Sequence, residues 1–201
     1  MKHLTIYLNI IIFFFCSCSN DNPIDNSKPF QSDYTVCFYF VDKNGNDATA
    51  QIPMKQINPT EDGHLFYCPP NEFTHYELVP NDYIYKCFLN KEEIDKQYLN
   101  GSEYTPTVWL EITDNPKDQR KLFVFVLYTT WNQINYTDAY SGRTYEFEYR
   151  FSIPALFGEK ENVLKIRSEA CKFWDGDYES ATFNGKPITP SGNRTFEIIV
   201  D

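Results

Sequence analysis

Between residues 144 and 151 the chain alternates without a break. Tyr145, Phe147, Tyr149 and Phe151 fall on one side, and Thr144, Glu146, Glu148 and Arg150 on the other. A pleated strand imposes this period of two, because successive side chains leave opposite faces. A helix cannot collect the four rings on one side, since at 3.6 residues per turn they spread around its axis. The segment is therefore expected to be a strand with one face on a core and the other in water. Upstream, Leu122-Phe123-Val124-Phe125-Val126-Leu127-Tyr128 is continuously apolar over a strand's length. Such a run belongs at the centre of a sheet with both faces covered.

Composition agrees with these two segments. Aromatic residues make up 17 % of the chain, with 15 Tyr and 17 Phe against 2 Met, and Tyr, Phe, Thr and Val suit a half-buried pleated surface. Further strands are expected at residues 34–41, 65–67, 73–79, 83–89, 107–113, 163–167, 170–174, 181–183 and 195–200. Asn44-Gly45 predicts a tight hairpin turn with residues 49–52 returning as its partner strand, and Asn184-Gly185 and Ser191-Gly192-Asn193 predict further turns. Loops are expected at 58–63 and 68–71, and a turn or single helical turn at 153–158. One short helix is predicted over residues 91–99, with Asn90 as cap, Glu93 completing a capping box and Asn100-Gly101 ending it. Ten or more short strands without internal repeat predict an all-β fold with one short helix. A β-sandwich is the first choice and a lipocalin-like β-barrel the second.

The amino terminus carries an address. Residues 4–15 are apolar except for Thr5 and Asn9, a run too short to span a bilayer but of the length of a signal-peptide core. It ends at Phe15-Cys16-Ser17-Cys18, which resembles a bacterial lipobox with small Ser17 before the modified cysteine. The expected organisation is a signal peptide at 1–17, a polar tether at 18–32 with Pro23 and Pro29, and one domain at 33–201. Cys18 is the expected lipid anchor, ahead of Cys16, whose preceding Phe15 is bulky. Ser19-Asn20-Asp21-Asn22 resembles the short acidic tag that takes Bacteroidetes lipoproteins to the outer face of the outer membrane. Surface exposure is therefore expected, with a periplasm-facing protein as the alternative.

Net charge is −10, and no basic stripe offsets it, so a phosphate backbone is repelled and nucleic acid is excluded as a partner. No nucleophile-elbow, zinc-protease or phosphate-loop motif is present. Asp42, Asn44 and Asn46 alternate like the start of a calcium loop. However, Asp47 stands where that loop needs Gly and Pro53 where it needs Glu, so the segment reads as a turn. Cys37, Cys68, Cys87 and Cys171 are candidates for disulfides in an oxidising compartment. Zinc is disfavoured, because no Cys-x-x-Cys exists and His64 and His75 are the domain's two imidazoles. Glu146 with Glu148, and Asp175 with Asp177, are the carboxylate pairs a glycoside hydrolase could use, although on a strand the first pair reads as an ordinary wet face.

The remaining candidate is aromatic. Trp131, Tyr136 and Tyr140, interleaved with Asn132, Gln133 and Asn135, combine ring faces with directional hydrogen-bonding groups, as sugar recognition requires. The competing reading of these rings is ordinary edge packing. The expected protein is a monomeric, non-catalytic lipoprotein without metal or cofactor, bound to the membrane through its anchor and to a glycan or protein at its surface. A carboxylate-dependent glycoside hydrolase and a structural subunit of a surface assembly are the alternatives.

Four short segments together resemble those of small Bacteroidetes lipoproteins. They are the Cys18-Ser19-Asn20-Asp21 start, the turn Val41-Asp42-Lys43-Asn44-Gly45-Asn46-Asp47, Leu156-Phe157-Gly158, and Phe183-Asn184-Gly185-Lys186. The resemblance implies a β-rich lipoprotein at the surface or in the periplasm, and it carries over no catalytic or binding residue.

Overall fold

The computed structural model describes residues 32–57, 67–69, 71–94, 108–115, 118–129, 134 and 136–200. Strands account for 54 % of the described residues, arranged in two sheets that do not close into a barrel. The sandwich is thus the architecture, and the lipocalin-like alternative is set aside.

In spatial order the first sheet holds β13 (Thr195–Ile199), β2 (Val36–Val41), β8 (Asp118–Thr129), β7 (Val108–Asn115), β4 (Thr74–Leu78) and β3 (Met54–Ile57). The short β1 (Ser32–Asp33) also pairs with β8. The second sheet holds β12 (Lys186–Pro187), β11 (Ser180–Phe183), β10 (Asn162–Glu169), β9 (Thr144–Ser152), β5 (Ile84–Leu89) and β6 (Glu92–Ile94). All named pairings are antiparallel except β13 with β2, whose register sets Phe196 beside Phe38 and Ile198 beside Phe40. This parallel pair brings the two ends of the domain side by side.

The alternating segment is β9, and its four rings are all buried. The core forms where they meet the inner face of β2 and β8. Phe151 stacks on Phe125 at 4.9 Å and lies 5.6 Å from Phe38, while Phe38 meets Phe125 edge-on at 4.9 Å. Burying each such ring stabilises the fold by about 1.5–3 kcal/mol. As expected of the apolar run, both faces of β8 are covered. Phe123, Phe125 and Leu127 enter the main core, and Val124 and Val126 a second cluster with Cys68.

Three expectations are corrected. Within residues 91–99, Glu92–Ile94 is strand β6 rather than helix, and residues 95–99 lie outside the described set. Asn90 and Lys91 have φ of 49° and 73° and form a two-residue hairpin turn between β5 and β6. Asn tolerates that left-handed region, and Asn90 is held by Glu146, whose N–H donates to Oδ1 at 3.0 Å and whose carbonyl accepts from the Asn90 N–H at 2.8 Å. The same residue type that caps helices therefore turns a hairpin. The strand expected at 170–174 is instead the helix α3 (Ala170–Phe173), which buries Ala170 and Phe173 at a spacing of three. Residues 49–52 are not a return strand. The Asp47 carboxylate accepts from the Thr49 N–H at 2.8 Å, its hydroxyl at 2.6 Å and the Lys121 N–H at 3.0 Å, which holds the segment as a turn. The other two helices are α1 (Tyr136–Ala139) and α2 (Pro154–Phe157), the latter at the expected break. Of the strand expected at 65–67, Tyr67 lies in a bend and its neighbours fall outside the described residues.

Candidate functional site

The sandwich has two ends, and the sequence candidates divide between them. At one end the chain enters through β1, where Ser32 pairs with Thr129, the last residue of β8. The carboxyl end of β8 is therefore at the β1 end of the sandwich. Trp131, Asn132, Gln133 and Asn135 lie outside the described residues, as does the Tyr136 side chain. Ile134 and Ala139 are buried and fasten the segment to the core. Tyr140 is 55 % exposed, with its ring 6.2 Å from Trp174 in an edge-on arrangement. Trp174 in turn neighbours Tyr34 at 6.1 Å. One ring of the expected platform is thus exposed, and it sits at the β1 end of the sandwich.

Of the carboxylate pair on β9, Glu148 is the engaged member. Glu148 is only 5 % exposed, ion-paired with Lys165 at 2.7 Å and hydrogen-bonded by the Arg150 guanidinium. Burial alone would raise its pKa, but these two cations hold it below the ordinary glutamate value. Its place is in a salt-bridged sheet face, where Arg150 also covers the Phe88 ring at 4.8 Å. A second buried carboxylate, Glu111, was not singled out by its sequence context. It is 5 % exposed and accepts from the Trp109 indole at 3.0 Å, the Cys68 N–H at 3.0 Å and the Tyr67 N–H. Three donors converging on one carboxylate make it a clamp that holds residues 67–68 against the first sheet. Beside it, Arg194 donates to Asp33 at 3.1 Å and to the Tyr67 hydroxyl at 3.0 Å, tying the start of the domain to the approach to β13.

Cys37, Cys68, Cys87 and Cys171 are free thiols. Cys37 and Cys68 share the outer cluster on the first sheet, where burial pushes both thiols up to about 12. Cys87 lies in the main core and Cys171 on α3. Among the described residues no group of three or more His, Cys, Asp or Glu could hold a metal, and His64 lies outside them. In the calcium-like turn, Asp42 accepts from the N–H groups of Asn44 at 2.7 Å and Asn46 at 2.9 Å, so the chain's own backbone occupies its Oδ1.

The opposite end carries a groove of about 920 Å³ between the open edges of the two sheets. Its floor is apolar, made by Leu156 and Phe157 of α2, Phe183 of β11, Ile188 and Val200. Phe157 continues into the core, 5.4 Å from Phe40 and 6.1 Å from Phe151. One wall is β13, where Ile199 is 61 % exposed. The rim carries Lys43, Lys160 and Lys186 against one carboxylate, Glu197, and that carboxylate is already held by Arg120 at 2.7 Å. Glu159 is not a lining residue, and Glu161 beside Lys160 turns to Arg150 at 3.8 Å. On a chain of net charge −10, this is a cationic rim around an apolar floor. The local geometry rests on the two-residue turn Asn184-Gly185, with φ of 49° and 77°, which returns β11 into β12. The Asn184 side chain accepts from the Val163 N–H at 2.9 Å and donates to Asn162 at 3.0 Å, fixing this corner to β10. Three of the four segments that carry the lipoprotein resemblance, around Lys43, Phe157 and Asn184, converge on this groove.

No family model, no curated protein and no solved structure matches the chain.

Proposed function

We propose that the protein is a lipid-anchored, non-catalytic binding module of a bacterial outer membrane, and that its groove is the seat for a surface ligand. The observation that carries this reading is the apolar groove with its lysine rim at the end of the sandwich remote from the tether. With Cys18 as the anchor, the β1 end faces the membrane and the groove opens away from it. Concave sites with an apolar lining and a few placed polar groups are the usual form of ligand seats. The same orientation weakens the aromatic loop as a glycan platform, since Tyr140 lies at the membrane-proximal end, where Tyr and Trp side chains suit the lipid–water interface. Lys165 and Arg150 already engage Glu148, which favours a structural role for that carboxylate over the hydrolase alternative.

The test is photocrosslinking in living cells. p-Benzoylphenylalanine is installed in place of Ile199 at the groove or, as a control, in place of Arg167 on the outer face of the second sheet. The reading expects a discrete adduct from position 199 and none from position 167. Equal labelling at both positions contradicts it.

A further inference from the structure

Along the groove wall formed by β13, the backbone is unfinished. Cys37 donates to the Arg194 carbonyl at 2.9 Å, and Val200 donates to the Val41 carbonyl at 2.8 Å. Residue alternation then turns the N–H and C=O groups of 194, 196, 198 and 200 toward β2, and those of Thr195, Glu197 and Ile199 toward the open edge. Thr195 is satisfied by the preceding turn, since its carbonyl accepts from the Ser191 N–H at 2.8 Å and its N–H donates to Gly192 at 3.3 Å. Among the described residues, Glu197 and Ile199 have no backbone partner on that side. Exposed edges of this kind are templates for another strand unless they are blunted. The facing edge of the second sheet is blunted: β12 is two residues long, one of them Pro187, and the Ile188 N–H is already donated to Ala181 at 3.0 Å.

We propose that β13 accepts an extended segment of a partner protein, which adds to the first sheet as a further strand and lies in the groove. The proposal rests on the groove being the ligand seat and specifies its occupant. A strand added beside Glu197 and Ile199 satisfies their four open backbone groups. Its alternate side chains then fall on the apolar floor at Phe157, Phe183 and Ile188. The turn at Ser191–Gly192 occupies the edge at Thr195, so the added strand engages the Glu197-to-Val200 half, toward the lysine-rimmed end. Lys160 and Lys186 have no ion-pair partner among the described residues, and both are exposed. The charge complementary to them is acidic. The occupant is therefore an extended peptide with apolar residues at every second position and Asp or Glu among the others, bound by main-chain hydrogen bonds with side chains setting the choice.

The experiment selects twelve-residue peptides from a random phage-displayed library against the full-length lipidated protein in lipid nanodiscs. The best sequence is then measured as a labelled synthetic peptide by fluorescence anisotropy. Alternating apolar sequences containing Asp or Glu are expected. Their affinity should fall at least tenfold in the double variant Lys160→Glu, Lys186→Glu, whose fold is checked by its unchanged melting temperature. N-methylation of alternate peptide amides should weaken binding tenfold in one register and leave the other register near the parent. Failure to enrich any peptide overturns the proposal, as does enrichment without acidic residues or equal binding by both N-methylated registers. If the Ile199 crosslink forms in cells but no peptide is selected, the groove remains the seat and strand addition falls. An adduct of twice the chain's mass, or one joining Ile199 to residues 18–31 of the same chain, replaces the partner with a second copy or with the tether.

Discussion

Phe125→Ala tests whether the two sheets are held by the ring cluster between them. Phe125 is fully buried, with Phe38 and Phe151 at 4.9 Å and Tyr85 at 4.7 Å. Removing the ring loses about 2–3 kcal/mol of transfer free energy. The neighbours come from both sheets and are themselves packed, so collapse around the gap is limited. A residual cavity of about 80 Å³ then adds about 2 kcal/mol at a slope of about 24 cal/mol per Å³. The total, about 4–5 kcal/mol, is a large share of the 5–15 kcal/mol typical of a folded domain. In urea, with a slope of about 2–3 kcal/mol per molar, the unfolding midpoint should fall by about 1.3–2.5 M at unchanged slope. The control is Phe88→Ala on the outer face of the second sheet, where the half-buried ring carries Arg150 at 4.8 Å; its cost should be about 1 kcal/mol. A midpoint shift below about 0.5 M for Phe125→Ala, or equal shifts for both variants, would show that the ring cluster does not hold the sheets together.

Three other expectations concern the anchor and the two buried carboxylates. Metabolic labelling with a fatty acid should mark the wild-type protein and not Cys18→Ala; labelling that survives moves the anchor to Cys16 or removes it. Glu148→Gln should be less stable than wild type at neutral pH, because a carboxyl held below its unfolded value of about 4.3 contributes stability above that value and loses it as pH falls through the folded one. The gap between the two proteins should close in acid, and a gap constant from pH 7 to pH 3 would be contrary. Glu111→Ala strands the Trp109, Tyr67 and Cys68 donors and should cost about 2–4 kcal/mol, with faster amide exchange at Tyr67 and Cys68; unchanged exchange there would show that the clamp is idle.

What could be read from the chain was whatever repeats locally. The period of two in β9 survives in the structure because its rings line one continuous core. Asn184-Gly185 predicted its turn because only left-handed backbone fits a two-residue hairpin of that hand. Asn90 misled because its preference for positive φ and its capping ability come from the same short polar side chain. The stretch 170–174 was ambiguous, since two apolar residues at a spacing of three fit a helical turn as well as a short strand. Glu111 and Glu148 both alternate as wet-face residues, and nothing local shows that a loop covers one and two cations engage the other. The groove was the least legible feature. Its parts lie near residues 43, 157, 184 and 199: the parallel pairing of β13 with β2 sets 199 near 43, and the packing of the two sheets adds 157 and 184. The aromatic segment was legible as composition, but that Tyr140 lies at the β1 end follows from its contact with Trp174, which neighbours Tyr34.

The proposed ligand seat and the proposed anchor lie at opposite ends of the sandwich, and photocrosslinking from each end separates the two. p-Benzoylphenylalanine at Ile199 and, in a separate protein, at Tyr140 should behave differently in intact cells. A discrete macromolecular adduct is expected from position 199 and none from position 140. The same adduct formed from position 140 and absent from position 199 would contradict it, placing the ligand on the aromatic loop beside the tether.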